Sequence, residues 1–182
     1  MELKHTYEKI VPVACVGRHG ALRVAIMIGY VSFALVWVAP IIRSLFSPLL
    51  IALAALAEFI LILCTKKYLN IEYEYSFAGE ALTVSQIFSK KSRKTLLSIE
   101  IKDMLLVAPY NEDTLRDAER LDPKKTVDAT GAPDADNVLM AIFDENSDTR
   151  VLLFLESDEQ IVAHFRRYAP HACSRELRSN LR

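Results

Sequence analysis

Residues 65–88 read TKKYLNIEYEYSFAGEALTVSQIF, and within them the chain passes from one kind of sequence to another. Before Lys66 it is predominantly apolar; after Asn70 it alternates, with Ile71, Tyr73, Tyr75 and Phe77 on one side and Glu72, Glu74 and Ser76 on the other. A period of two marks a half-buried β-strand. Ala78-Gly79-Glu80 supplies a turn, and Leu82, Val84 and Gln86 then alternate with Thr83, Ser85 and Ile87, so the segment predicts a β-hairpin.

Toward the N-terminus, the only charged side chain between Val24 and Ala57 is Arg43, so the overall 52% hydrophobic content averages two different materials. A helix needs about 20 apolar residues to cross the hydrocarbon core. Residues 22–42 meet that length with Arg23 able to snorkel from one end, and residues 48–65 form a second span, with Ser47 placed to N-cap it and Pro48 at its first position. Only residues 41–46 lie between Pro40 and the second helix, which predicts an antiparallel transmembrane hairpin over residues 21–65 behind an N-terminal segment, residues 1–20. The stretch starts too late and runs too long for a secretory leader. Arg18, Arg23, Lys66 and Lys67 sit at one end and Arg43 at the other, which by the positive-inside rule puts both termini in the cytoplasm and the chain in the cell membrane.

Within the spans Glu58 is the costly residue, and an ionisable group in a membrane segment is a functional hypothesis by default. Tyr30 and Ser32 on the first helix are its expected hydrogen-bond partners at matching depth. The reading preferred is a carboxyl that stabilises the hairpin or an oligomer; an ion or proton pathway at Glu58 is the distant alternative. Gly29, Ser32, Ala34, Ala52, Ala55 and Ala57 permit close helix packing and so a homo-oligomer.

Toward the C-terminus, the basic run Lys90, Lys91, Arg93, Lys94 precedes strands at 96–101 and 104–107. Residues 110–136 read as an acidic surface loop holding a short helix near 114–121 and a short strand near 126–129. Strands at 138–143 and 150–155 make a second hairpin, and a helix over 158–169, capped by Ser157 and stopped by Pro170, closes the domain. The domain is expected over residues 70–170, with a loosely ordered basic tail over 171–182. The fold class is therefore α+β: a two-helix membrane hairpin and an antiparallel β domain whose open end a helix plugs.

The pattern Tyr73-x-Tyr75-x-Phe77-x-Gly79-x-x-Leu82-x-Val84, then Ile87-Phe88, a basic turn, and Leu97-x-Ile99-x-Ile101-x-Asp103, resembles bacterial pleckstrin-homology-like (PH-like) domains that follow a pair of transmembrane helices. It is similar to a group of small, uncharacterised membrane proteins of clostridial-type bacteria. The resemblance implies a PH-like barrel or roll. It departs from phosphoinositide-binding members, whose basic cluster occupies the first hairpin turn, here Ala78-Gly79-Glu80.

A net charge of −1 argues against nucleic-acid binding. Cys15, Cys64 and Cys173 are too far apart for a disulfide framework or zinc site and read as buried thiols. His5, His19, His164 and His171 have no metal spacing, and Asp113, Asp117 and Asp122 do not fit a calcium loop. No cofactor, metal or catalytic signature is expected, and the chain reads as a non-enzyme. The function preferred from sequence is a membrane-tethered interaction or scaffold module for a protein partner. The runner-up is binding to anionic lipid through Lys66, Lys67, Lys90, Lys91, Arg93 and Lys94.

Overall fold

A computed structural model describes residues 6–14, 17–42, 48–132, 135–146 and 149–179. The elements run β1 (Thr6–Pro12), α1 (Gly17–Ile42), α2 (Pro48–Thr65), a 3-10 turn (Lys66–Tyr68), β2 (Ile71–Ala78), β3 (Ala81–Phe88), β4 (Ser92–Glu100) and a second 3-10 turn (Ile101–Asp103). They continue β5 (Met104–Pro109), α3 (Glu112–Arg120), β6 (Lys125–Asp128), β7 (Val138–Asn146), β8 (Thr149–Glu156), α4 (Glu159–Tyr168) and α5 (Arg175–Ser179). The strands form two four-stranded sheets, ordered β1-β2-β3-β4 and β5-β7-β8-β6. All neighbours are antiparallel except β6, which lies parallel to β8.

The two helices are an insertion into the first sheet. β1 precedes them and β2 follows them, yet the two strands pair along their whole length, from Thr6 opposite Ala78 to Pro12 opposite Glu72. The Val13 N–H extends the ladder to the Ile71 carbonyl at 3.0 Å. The β domain thus begins at Thr6 and not near residue 70, and the N-terminal segment expected to stand apart is one of its edge strands. Tyr7, Val11 and Val13 lie in or against the core, while the partly buried Lys9 stem reaches out to place its ammonium 3.2 Å from the Glu156 carbonyl.

Inward rows of side chains join the sheets. Tyr75, Val84 and Leu97 sit side by side across three strands, and a bulge between Val84 and Ser85 leaves Leu96 as an extra residue that bends β4. Facing them are Val107, Leu139, Ala141, Phe143, Val151, Leu153 and Leu155 of the second sheet. The Tyr75 hydroxyl donates to the Ala129 carbonyl at 2.7 Å and accepts from the Glu156 N–H at 3.3 Å, tying the two layers through a fully buried phenol. α4 closes the open end with Ile161, His164 and Phe165. Its cap is Asp158, whose carboxylate accepts from the Ile161 N–H at 3.0 Å; the Ser157 hydroxyl expected there donates instead to the Asn137 carbonyl.

Four other expectations change. Ser92, Arg93 and Lys94 are strand residues opposite Phe88, Ile87 and Gln86, so the basic turn contains only Ser89, Lys90 and Lys91. The acidic segment is packed: α3, held by an Asn111–Thr114 capping box, sets Ala118 over Met140, Ile142 and Leu152 on the outer face of the second sheet. The tail is also built in. Val107 bonds Ala172 and Ser174 through its N–H and carbonyl, Leu177 is buried, and Arg166 donates to the Leu177 carbonyl. Cys173 is buried, as expected, but Cys64 is exposed, and Cys15 lies outside the described residues.

Candidate functional site at the base of the two helices

α1 and α2 are apolar and almost wholly uncovered: the spans Gly20–Trp37 and Pro48–Tyr68 are each 6% buried. They are the two helices among the described residues long and apolar enough to cross a membrane. Arg43 and Ser47 lie outside the described residues, as does the turn between the helices. Glu58 and Tyr30 leave their helices at similar distances from that turn, about 15 and 18 Å at 1.5 Å per residue. The Tyr30 side chain nevertheless climbs toward the β domain, where its hydroxyl shares a short hydrogen bond with Thr65. Thr65 in turn donates to the Leu61 carbonyl at 2.6 Å. Glu58 is half-buried with no hydrogen bond or ion pair to a described residue, and Ser32 is exposed, so the three polar candidates on the helices are not brought together.

At the end of α2 the structure gathers the basic residues that sequence placed far apart. Lys66 and Lys67 occupy the 3-10 turn, and the β3–β4 turn comes down onto them: the Ser89 hydroxyl donates to the Lys66 and Lys67 carbonyls at 3.2 and 3.4 Å. The Ser89 N–H bonds the Asn70 carbonyl at 2.7 Å. Ser89 and Lys90 both adopt left-handed φ, 48° and 59°, while the Lys91 N–H closes onto Phe88. Such torsions match the twist of a hairpin but favour glycine or asparagine, so the contacts to the helix base hold a turn its own residues resist. Arg23 joins from α1, donating to the Val13 carbonyl at 3.3 Å, and lines a cleft of about 410 Å³ with Asn70, Ser89 and Lys90. Tyr68 stands edge-on to Phe88 at 6.0 Å and takes the Lys67 ammonium over its ring at 4.9 Å.

Arg93 belongs to a different arrangement. Its guanidinium is 2.7 Å from Glu74, whose carboxylate is buried on the outer face of the first sheet, so this arginine neutralises a carboxylate of its own domain. Lys94 is exposed on β4. The six residues expected to face lipid therefore divide into four at the helix base, one paired and one on the flanking strand. Sequence reading missed Ser89, Tyr68 and the part Arg23 plays; two consecutive non-glycine residues in a tight hairpin turn were the available signal.

On the opposite flank of β1, burial and then the Asp158 carboxylate, to which its hydroxyl donates at 2.6 Å, push the Tyr7 phenol up to about 12. Burial pushes the Asp158 carboxyl up, but the Tyr7 hydroxyl, the Ile161 N–H and the Lys9 ammonium outweigh it and hold the group below its ordinary range. This cluster fastens β1 to α4. No three His, Cys, Asp or Glu side chains converge on a metal-sized site among the described residues.

Comparison with curated proteins and with solved structures finds no match. The family model described as bacterial PH-like domain (DUF6106) matches residues 7–175, from β1 through the two helices and both sheets into α5. With 169 of its 182 residues matched, this chain belongs to the bacterial PH-like domain family DUF6106.

Proposed function

We propose that α1 and α2 cross the cell membrane as a hairpin and that the PH-like domain is held on the cytoplasmic side with its basic base against anionic headgroups. The observation that carries this reading is the bifurcated hydrogen bond from the Ser89 hydroxyl to the Lys66 and Lys67 carbonyls, which sets Lys90 and Lys91 beside the exit of the helices. Lys66, Lys67, Lys90 and Lys91 are exposed, and each basic residue at an anionic surface contributes about 1 kcal/mol. Tyr68, 41% exposed at the same level, suits the aromatic belt at the water–lipid boundary. Short connections from β1 to α1 and from α2 to β2 keep the domain at the surface, so the charges act at fixed distance.

The test uses the full chain in vesicles of neutral lipid or of lipid containing one-third phosphatidylserine, with the rate of amine modification of Lys90 and Lys91 as readout. Slower modification in anionic vesicles, reversed by high salt, is expected. Equal rates in both would remove the reading and leave a tethered interaction module, which an open pocket on the far sheet also favours.

A further inference from the structure

The outer face of the second sheet is only partly covered by α3, and beyond the helix it opens into a pocket of about 320 Å³ lined by Tyr110, Asp128, Thr130, Val138 and Phe154. Tyr110 ends in this pocket with 54% of its surface exposed, although its N–H is fixed by the Val138 carbonyl at 2.8 Å. It stands edge to face with Phe154, centroids 5.7 Å apart at 87°. Two aromatic rings thus line an open cavity at the end of the second sheet.

Among the described residues that line the pocket, the charged one is Asp128. One carboxylate oxygen accepts from the Thr130 N–H at 2.9 Å and the Thr130 hydroxyl at 2.7 Å, a turn that fixes the side chain. Four other acids of this half of the domain have cations beside them: Asp113 with Arg116, Asp117 with Arg120, Glu145 with Lys125, Asp144 with Arg150. Asp128 has no such ion pair among the described residues; burial pushes the Tyr73 phenol up, and the Asp128 carboxylate adds to that rise.

We propose that this pocket accepts a lysine or arginine side chain of a partner protein, stacked on Tyr110 and Phe154 and paired with Asp128. Aromatic faces attract organic cations through their quadrupole, and a fixed carboxylate at the rim adds the counter-charge. The volume is at the lower end of ligand sites and suits one side chain. Charge complementarity extends beyond the pocket: residues 110–136 carry eight acidic and four basic side chains, which favours a segment with several basic residues. The same surplus disfavours a zwitterionic lipid headgroup, whose phosphate would enter a negative surround.

The experiment titrates the full chain in detergent micelles with a fluorescent arginine–serine repeat peptide, and separately with phosphocholine. Saturable peptide binding that falls at least 10-fold in Asp128→Asn and in Tyr110→Leu, but less than 2-fold in Asp113→Asn, with thermal unfolding unchanged, is the expected result. Equal binding by all four proteins, or loss in Asp113→Asn as large as in Asp128→Asn, would overturn the proposal in favour of a diffuse acidic surface. Absence of peptide binding together with phosphocholine binding that needs Asp128 would overturn it in favour of a headgroup site.

Discussion

In the β domain Phe77, Leu82, Val84, Leu153 and Phe165 expose none of their surface, whereas on α1 and α2 Ile28, Val36, Leu49 and Phe59 expose 60, 68, 69 and 57%. The same residue types are thus inside one region and outside the other. Water can drive only the first arrangement, since burying a large apolar side chain contributes about 1.5–3 kcal/mol. The second suits a solvent as apolar as the side chains themselves. The apolar surface changes from covered to uncovered where the two helices enter and leave the β domain, and β1 and β2 fasten the domain to the helix pair on both sides.

The comparison sharpens first on paired truncations. Phe77→Ala should cost about 3–5 kcal/mol in denaturant unfolding of the β domain, while Phe59→Ala on the outer face of α2 should change it by less than about 0.5 kcal/mol. Similar losses at both would mean that the helices are packed in a protein core.

Next is Gly131. A Cβ here would lie 2.6 Å from the Pro12 carbonyl oxygen and 2.8 Å from Val11 Cγ1, so Gly131→Ala should push β1 off its neighbours at a cost of about 1–3 kcal/mol. Unchanged stability would show that β1 is not seated as described.

Tyr7→Phe should cost about 1.5–3 kcal/mol, as expected for a lost hydrogen bond to a charged group, and should flatten the pH dependence at both ends. The Tyr7 pKa is raised in the folded state, so its contribution is complete below the ordinary tyrosine range and is lost as pH rises toward about 12. That of Asp158 is lowered, so its contribution is present above the ordinary carboxylate range and is lost as pH falls below it. Unfolding midpoints of the parent and variant across pH test both limbs.

The smallest effect concerns His164, fully buried among Tyr7, Phe77 and Tyr168. Its Nδ1 is 2.9 Å from the Gln160 carbonyl, while Nε2 has no hydrogen-bond partner among the described residues. His164→Leu removes an unsatisfied buried polar atom and should raise stability by up to about 1 kcal/mol. A loss would show that the imidazole contributes through its ring contacts.

Much of this architecture was legible because it rests on local periodicity. The switch at Lys66 separates the helices from β2, and alternation locates β2, β3, β7 and β8. β1 was not, because Thr6–Pro12 carries Glu8 and Lys9 and its partner is 60 or more residues away, beyond the hairpin. Nor was the start of β4, where three polar residues form a strand because β3 supplies the ladder. At the site, the lysines were visible as charge, but their convergence depends on one serine hydroxyl and two backbone carbonyls, which composition cannot show. The commitment of Arg93 to Glu74 is likewise a cross-strand relation between residues 19 apart.

Excising the helix pair tests whether it is inserted between two paired strands of one domain. Replacing residues 15–68 with a short glycine–serine loop should give a water-soluble protein that unfolds in a single cooperative transition, because the Val13 N–H and the Ile71 carbonyl are already bonded at 3.0 Å. A fragment comprising residues 70–182, which lacks β1, should be markedly less stable. Equal stability of the two, or failure of the excised protein to fold in water while the fragment folds, would contradict the account.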